Sequence, residues 1–348
     1  MKKVFESRSK LIHEIFPSGI TGLWCPLLTH YKDDKSIDPD RMSAHLGHIV
    51  PWVRGFLVPG STGDGWELSD VETLKVVEFA VKESRTHELF LLLGVLKPDA
   101  ESMKKTIGDM LNLLRQMTGI DDAGQCLRAA GVCGLTACPP GGSMRSQAEI
   151  FESFAGILDM GLPVALYQLP QVTENEITPE TFQRLVEKYP NLIFFKDTSG
   201  NDRIAQSGID TGGIYLTRGA EKDYAGWLKG AGGLYDGFLL ASANSFPKQL
   251  SSLIGYVRGG DLPSAKMISD KLSSIQNDMF TLVQSIPWGN QFTNVNKAID
   301  HYNAFGPSAY LKEAPMLHAG VRMPGYVIPA TGEILKRHDL MPQKGYMD

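Results

Sequence analysis

A (β/α)8 barrel (TIM barrel) carrying extra C-terminal helices is the fold class that this sequence predicts. Short, continuous apolar runs alternate with longer amphipathic segments eight times in succession. That is the pattern of a parallel sheet whose faces are both covered. Eight units favour a closed barrel over an open doubly wound sheet. The 348 residues leave room for a barrel and an extension, since such a barrel needs roughly 250 residues.

Each unit has its own signals. Residues 20–29 read as the first strand. Asp38 follows as an N-cap, with Pro39 at the first helical position. Residues 55–61 read as the second strand, and Ser69 with Glu72 forms a capping box opening a helix to Arg85. Residues 89–95 are the third strand, followed by a helix over about 100–116. The remaining strands fall at 132–138, 163–169, 191–196, 214–218 and, more weakly, 233–238. The helices that cover them fall at 146–160, 179–188, 222–229 and 244–257. Residues 118–130 read as an insertion without an assigned role. From residue 262 the pattern is helical to about 284 and again to 305, with no Pro/Ser-rich linker before it. The expected division is an N-terminal extension (1–18), the barrel (19–260) and a C-terminal helical extension packed on the barrel (261–348).

Composition excludes several classes of function. The formal net charge of −5 and the lack of a basic run argue against nucleic acid and anionic lipid as partners. The longest apolar stretch, residues 89–96, is far short of the ~20 residues of a membrane span. Residues 1–17 lack the apolar centre of a signal peptide. Four cysteines, none in a CxxC pair, read as reduced thiols, with Cys133 and Cys138 as core fillers. The expectation is a cytoplasmic protein. His45 and His48 share a helical face, but no neighbouring carboxylate or third histidine completes a metal set. No nucleophile elbow or Walker loop is present, and the glycines at 230–233 precede a strand instead of following one.

Three segments can carry chemistry. Lys196 ends the run Leu-Ile-Phe-Phe-Lys at the C-terminal end of a strand, where barrel active sites lie. Desolvation there lowers an ammonium's pKa and frees an amine nucleophile that can condense with a ketone. Read alone, the same segment fits a solvated lysine at a strand end. Tyr167 ends the preceding strand, where a phenol can move protons or simply fill the core. Gly60-Ser61-Thr62-Gly63-Asp64-Gly65 follows the second strand. Its hydroxyls and amides suit a carboxylate, but they also suit an ordinary polar turn.

Taken together, these segments resemble the dihydrodipicolinate synthase / N-acetylneuraminate lyase family of Schiff-base-forming class I aldolases. Gly60-Ser61-Thr62-Gly63-Asp64 is similar to its Gly-Thr-Thr-Gly-Glu loop, Tyr167-Gln168-Leu169-Pro170 to its Tyr-Asn-x-Pro, and Lys196-Asp197-Thr198-Ser199-Gly200 to its lysine segment. The resemblance runs from about Gly19 to Arg322. It implies an imine between Lys196 and pyruvate or a related 2-oxo acid, with Tyr167 and Thr62 as catalytic partners. Gly60, Ser61, Thr62 and Thr198 would contact the substrate, no cofactor or metal would be needed, and a homodimer or homotetramer would form. Two departures bear on substrate. Val172 stands where such synthases resemble one another in carrying arginine, and Pro139-Pro140-Gly141-Gly142 replaces a Pro-Tyr-Tyr-Asn segment. Both favour a 2-keto-3-deoxy acid aldolase, or a dehydratase, over dihydrodipicolinate synthase itself. A non-catalytic 2-oxo acid sensor or scaffold is the alternative of another class. Trp66, just past the glycine loop, is expected to reshape the pocket.

Overall fold

Eight short parallel strands close on themselves in sequence order in the computed structural model, which describes residues 1–348. They are β1 (Leu23–Pro26), β2 (Gly55–Val58), β3 (Phe90–Val95), β4 (Val132–Ala137), β5 (Val164–Gln168), β6 (Leu192–Asp197), β7 (Tyr215–Arg218) and β8 (Gly237–Leu239). The helices are α1 (Lys2–Ile15), α2 (Pro39–Ile49), α3 (Asp70–His87), α4 (Ala100–Thr118), α5 (Ala123–Ala129), α6 (Gln147–Leu158), α7 (Pro170–Thr173), α8 (Pro179–Lys188), α9 (Arg203–Gln206), α10 (Tyr224–Trp227), α11 (Pro247–Arg258), α12 (Leu262–Val283), α13 (Gln291–Phe305) and α14 (Val327–Arg337). The caps form as expected: Asp38 accepts from the Arg41 amide, and Ser69 and Glu72 make a reciprocal capping box.

Three local expectations are corrected. The first residues form a 14-residue amphipathic helix, α1, although the sequence reading assigned them no element. Residues 118–130 are not a bare insertion: Gly119 ends α4 in the left-handed conformation, Asp122 caps α5, and α5 buries Cys126 and Leu127. The helix expected over 222–229 shrinks to the single turn α10, because glycines at 226, 230, 232 and 233 lower helix stability there.

Period-two alternation sends one face of each strand into the barrel. The lower inward layer is Trp24, Leu57, Leu92, Ala165, Phe194 and Leu239, sealed from below by Phe16. Phe16 meets Trp24 edge-on at 6.2 Å between ring centroids, and Trp24 meets Phe194 at 5.3 Å. The apolar stripe of α1, Leu11, Ile12 and Ile15, packs against this plug. The barrel is therefore filled at the N-terminal ends of its strands, and its chemistry is confined to the other end.

Arg8 anchors α1. It is fully buried, and it donates from Nε to the Leu192 carbonyl (2.7 Å), from Nη1 to Gly212 (2.8 Å) and from Nη2 to Tyr189 (2.9 Å) and Val186. Burial lowers its pKa to about 10, with Asp210 acting in the opposite direction. Arg8→Met leaves buried carbonyls without donors, so urea denaturation should show a loss of about 3 kcal/mol. A loss below about 0.5 kcal/mol would mean that these carbonyls are satisfied without the guanidinium.

Candidate active site

Lys196 and Tyr167 occupy the next inward positions above Phe194 and Ala165, two residues further along β6 and β5. They are direct partners in the strand register. The Lys196 side chain is 4 % exposed, and burial lowers its pKa to about 7. Its Nζ lies 3.9 Å from the centroid of the Tyr167 ring. The aromatic face, not the hydroxyl, therefore covers the amine. Burial pushes the Tyr167 phenol well above its usual range, with the Thr198 hydroxyl beside it working the other way.

Gly219 packs directly against Lys196 and Thr198, with no room for a side chain. A Cβ on Gly219 would stand 2.4 Å from Thr198 Oγ1 and 2.9 Å from Lys196 Cε. The Gly219 amide donates to the Asp197 carbonyl at 2.7 Å, which fixes this approach. Leu96, Cys138, Tyr167 and Leu169 form an apolar wall on the far side, with Trp66 packed against it. Trp66, noted in the sequence for its position, thus borders this wall.

The glycine loop sits at the end of β2 and is built differently. Residues Ser61–Gly63 form one 3-10 turn, closed by the Gly63 amide on the Gly60 carbonyl (3.0 Å) and the Asp64 amide on the Ser61 carbonyl (3.2 Å). The turn does not consume the amides of Ser61 and Thr62. Its carbonyls are held from outside. Thr29 Oγ1 donates to Gly63 (2.7 Å), Thr293 Oγ1 to Thr62 (2.9 Å) and Asn290 Nδ2 to Ser61 (2.9 Å). A side chain on Gly63 would strike the Leu27 carbonyl at 2.3 Å, so the loop lies flush on β1. Asp64, in the left-handed conformation, accepts from Tyr31 (3.0 Å) and from Lys297 Nζ (3.0 Å) in a buried ion pair. Lys196, Tyr167 and Thr198 thus converge on one spot. Gly60, Ser61 and Thr62 line the same end of the barrel, but no hydrogen bond joins Thr62 to Tyr167.

Glu221 was missed in the sequence. It stands two residues after Gly219, beyond the C-terminal end of β7, and the strand-end rule that singled out Lys196 points to it equally. Its carboxylate accepts from the Ser242 amide (2.9 Å), the Ser242 hydroxyl (2.5 Å) and the Tyr224 hydroxyl (2.9 Å). Burial pushes its pKa up, while these hydrogen bonds and the Lys196 charge pull it back. It is the carboxylate that acts electrostatically on Lys196.

His45 does meet a carboxylate, contrary to the sequence reading. Asp300 lies 2.7 Å from its Nδ1, and His30 joins the cluster. Asp300 also accepts from Arg41 and Tyr346, so a guanidinium fills the place next to this carboxylate. Residue 300 is remote from 45 in sequence, and only α13 brings them together.

A family model described as "Dihydrodipicolinate synthetase family" matches residues 118–299, a little over half of the chain. The chain belongs to the dihydrodipicolinate synthetase family. It is accordingly a Schiff-base-dependent lyase with a class I aldolase-like barrel. Relatives named 4-hydroxy-tetrahydrodipicolinate synthase include one from Agrobacterium fabrum, 25 % identical over 257 residues (73 % of this chain, 81 % of the relative). Another, from Caldicellulosiruptor saccharolyticus, is 26 % identical over 271 residues (76 % and 84 %). Among solved structures, YagE, a prophage protein of this family from E. coli K12 in complex with pyruvate, superposes with a TM-score of 0.73 at 22 % identity. The match covers 92 % of this chain and 99 % of that one. The dihydrodipicolinate synthase from Aquifex aeolicus gives 0.68 at 20 % identity (93 % and 100 %). No helix of this family member is long and apolar enough to cross a membrane.

The buried Lys297–Asp64 pair is the support of the glycine loop. Lys297→Met leaves an unpaired buried carboxylate and should cost about 3–5 kcal/mol in chemical denaturation. Adding Asp64→Asn should recover much of that loss; equal instability of the single and double variants would show that packing, not charge, dominates.

Proposed function

We propose that Lys196 is the Schiff-base residue of a 2-keto-3-deoxy acid aldolase. The observation that carries this reading is a primary amine, near neutrality at physiological pH, buried in the barrel mouth against Tyr167. The free amine attacks the C2 carbonyl of the 2-oxo acid and forms a carbinolamine. Loss of water gives a protonated imine. The imine accepts the electron pair released when the C3–C4 bond breaks, the C4 hydroxyl gives its proton to Tyr167, which has given up its own to the departing water, and an aldehyde leaves. The resulting enamine takes a proton at C3, and hydrolysis returns pyruvate and the amine. Tyr167 and Thr198, side by side at the amine, are the proton carriers for carbinolamine dehydration. The Ser61 and Thr62 amides and hydroxyls receive the substrate carboxylate, opposite the amine. Thr62 is then linked to Tyr167 through the bound substrate.

The names of the relatives favour a second reading, condensation of pyruvate with an amino-aldehyde as in a dihydrodipicolinate synthase. Two features weigh against it. Val172 is partly exposed and has no charge for a second carboxylate. Gly141 and Gly142 carry no phenol in the segment that follows Cys138. The aldolase reading accommodates both.

Borohydride reduction in the presence of pyruvate should add one reduced pyruvate, located at Lys196 by peptide mass spectrometry and absent in Lys196→Ala. An adduct elsewhere, or none, removes the reading. With an amine pKa of about 7, imine formation should accelerate as pH rises from about 6 to 8 and then level off. The sign follows from the neutral form being the nucleophile. Trp66→Ala should change the ranking of 2-keto-3-deoxy acids in kcat/KM by about tenfold while pyruvate trapping persists. An equal loss of both would assign Trp66 to the fold.

A further inference from the structure

Three arginines without a carboxylate partner line one cavity at the end of the barrel remote from Lys196. Arg54 stands just before β2, Arg85 in the last turn of α3 and Arg128 in the last turn of α5. Elsewhere Arg41, Arg145, Arg218, Arg322 and Arg337 each sit beside a carboxylate. Arg54 donates only to the His87 carbonyl (2.6 Å) and Arg85 only to the Met117 carbonyl (3.3 Å), so most of their N–H groups stay free. The Arg128 guanidinium donates to no group of the protein. Cations of one sign around one concave space focus a positive potential there, although the chain as a whole carries a net charge of −5.

The cavity has a volume of about 780 Å³ and lies between the end of α1 and the first residues of β3 and β4. Its lining is apolar between the arginines: Leu89, Val132 and Cys133 are buried, and Ile15 and Phe90 are half-buried beside them. Glu14 and Glu88 also border it, so the charged residues of the lining leave an excess of one positive charge. No reactive group faces it. Burial pushes the Cys133 thiol up to about 12, so the thiol stays protonated. Lys196 lies near the other end of its strand, and an occupant of this cavity is therefore not the molecule that meets the amine.

We propose that Arg54, Arg85 and Arg128 form a binding site for an amphipathic organic monoanion, a carboxylate on an apolar body, at the N-terminal end of the barrel. A guanidinium fork matches the two oxygens of a carboxylate. The apolar lining takes the body out of water. A bare inorganic anion would leave that lining uncovered, and a neutral apolar molecule would leave the guanidiniums without an acceptor. A dianion would exceed the single excess charge and meet Glu14 and Glu88. The cavity volume falls in the range of small-molecule sites. Because the cavity and the amine lie at opposite ends of the barrel, both can be occupied at once.

The test uses the full-length protein and three probes. Octanoate has the charge and the apolar body, octanamide the body without the charge, and acetate the charge without the body. Calorimetry should show octanoate binding about tenfold or more tighter than either of the others. Arg128→Ala should weaken octanoate about tenfold and leave the melting temperature unchanged, because this guanidinium holds no group of the protein. Lys196→Ala should leave octanoate affinity unchanged. Octanamide binding as tightly as octanoate would reduce the cavity to an apolar groove, and acetate binding as tightly would reduce it to an exposed cationic patch; either result overturns the proposal. So does an Arg128→Ala protein that keeps its octanoate affinity, or one that loses melting temperature along with it and thereby assigns Arg128 to the fold. Loss of octanoate affinity in Lys196→Ala would place the ligand in the barrel mouth and overturn it as well.

Discussion

Withdrawing the Lys196 ammonium from water is the constraint on which the rest of the site depends. A lysine on a barrel strand normally keeps its charge in solvent. Here the aromatic plug of Phe16, Trp24 and Phe194 closes the barrel below it, and the Leu96–Cys138–Tyr167–Leu169 wall stands beside it. The price of that desolvation is met in part by the Tyr167 ring face and by the Glu221 carboxylate, which limit how far the amine's pKa falls. The balance leaves the amine near neutrality, with both a nucleophile and a proton available in the physiological range. The same burial raises the pKa of the neighbouring thiol Cys138 and of the Tyr167 phenol, so these groups stay protonated beside it.

The second requirement is positional, and the C-terminal helices meet it. α13 carries an unusual set of buried polar residues, and they act on different targets. Thr293 holds the Thr62 carbonyl, Lys297 holds Asp64, and Asp300 holds Arg41, His45 and Tyr346. One helix therefore ties the glycine loop, α2 and the last residues of the chain into one unit. α12 packs against α10, α11, α13 and α14, and contributes Gln276 to the cavity bordered by Glu221. The barrel supplies the buried amine, and the extension holds the glycine loop at the same end of the barrel. A substitution on α13 thus reaches the glycine loop without touching Lys196 or Tyr167.

Much of the fold was legible because its signals are local. The strand runs, the Asp38 and Ser69 caps and the eightfold alternation each depend on a few adjacent residues. What was lost followed the same logic. α1 mixes charge with apolar residues, and its purpose is evident only against the barrel floor, where Arg8 meets carbonyls from residues 186 to 212. The 118–130 segment read as an insertion because Gly119, Asp121, Asp122 and Gly124 interrupt the pattern, yet a seven-residue helix with an aspartate cap is enough to cover β4. Glu221 was legible in principle and overlooked, because it follows a short strand with no apolar run as clear as that before Lys196.

By itself the sequence determined the barrel, its eight strands in order, and the placing of Lys196, Tyr167 and the Gly60–Asp64 loop at the same strand ends, since period and strand order are written in neighbouring residues. Only the tertiary structure decided that the Tyr167 face covers the amine, that Gly219 packs against it, and that Lys297 and Asp300 tie the glycine loop and α2 to α13. Those are contacts between residues tens to hundreds of positions apart. They arise from closing the barrel and laying α12 and α13 across it, which no local pattern encodes.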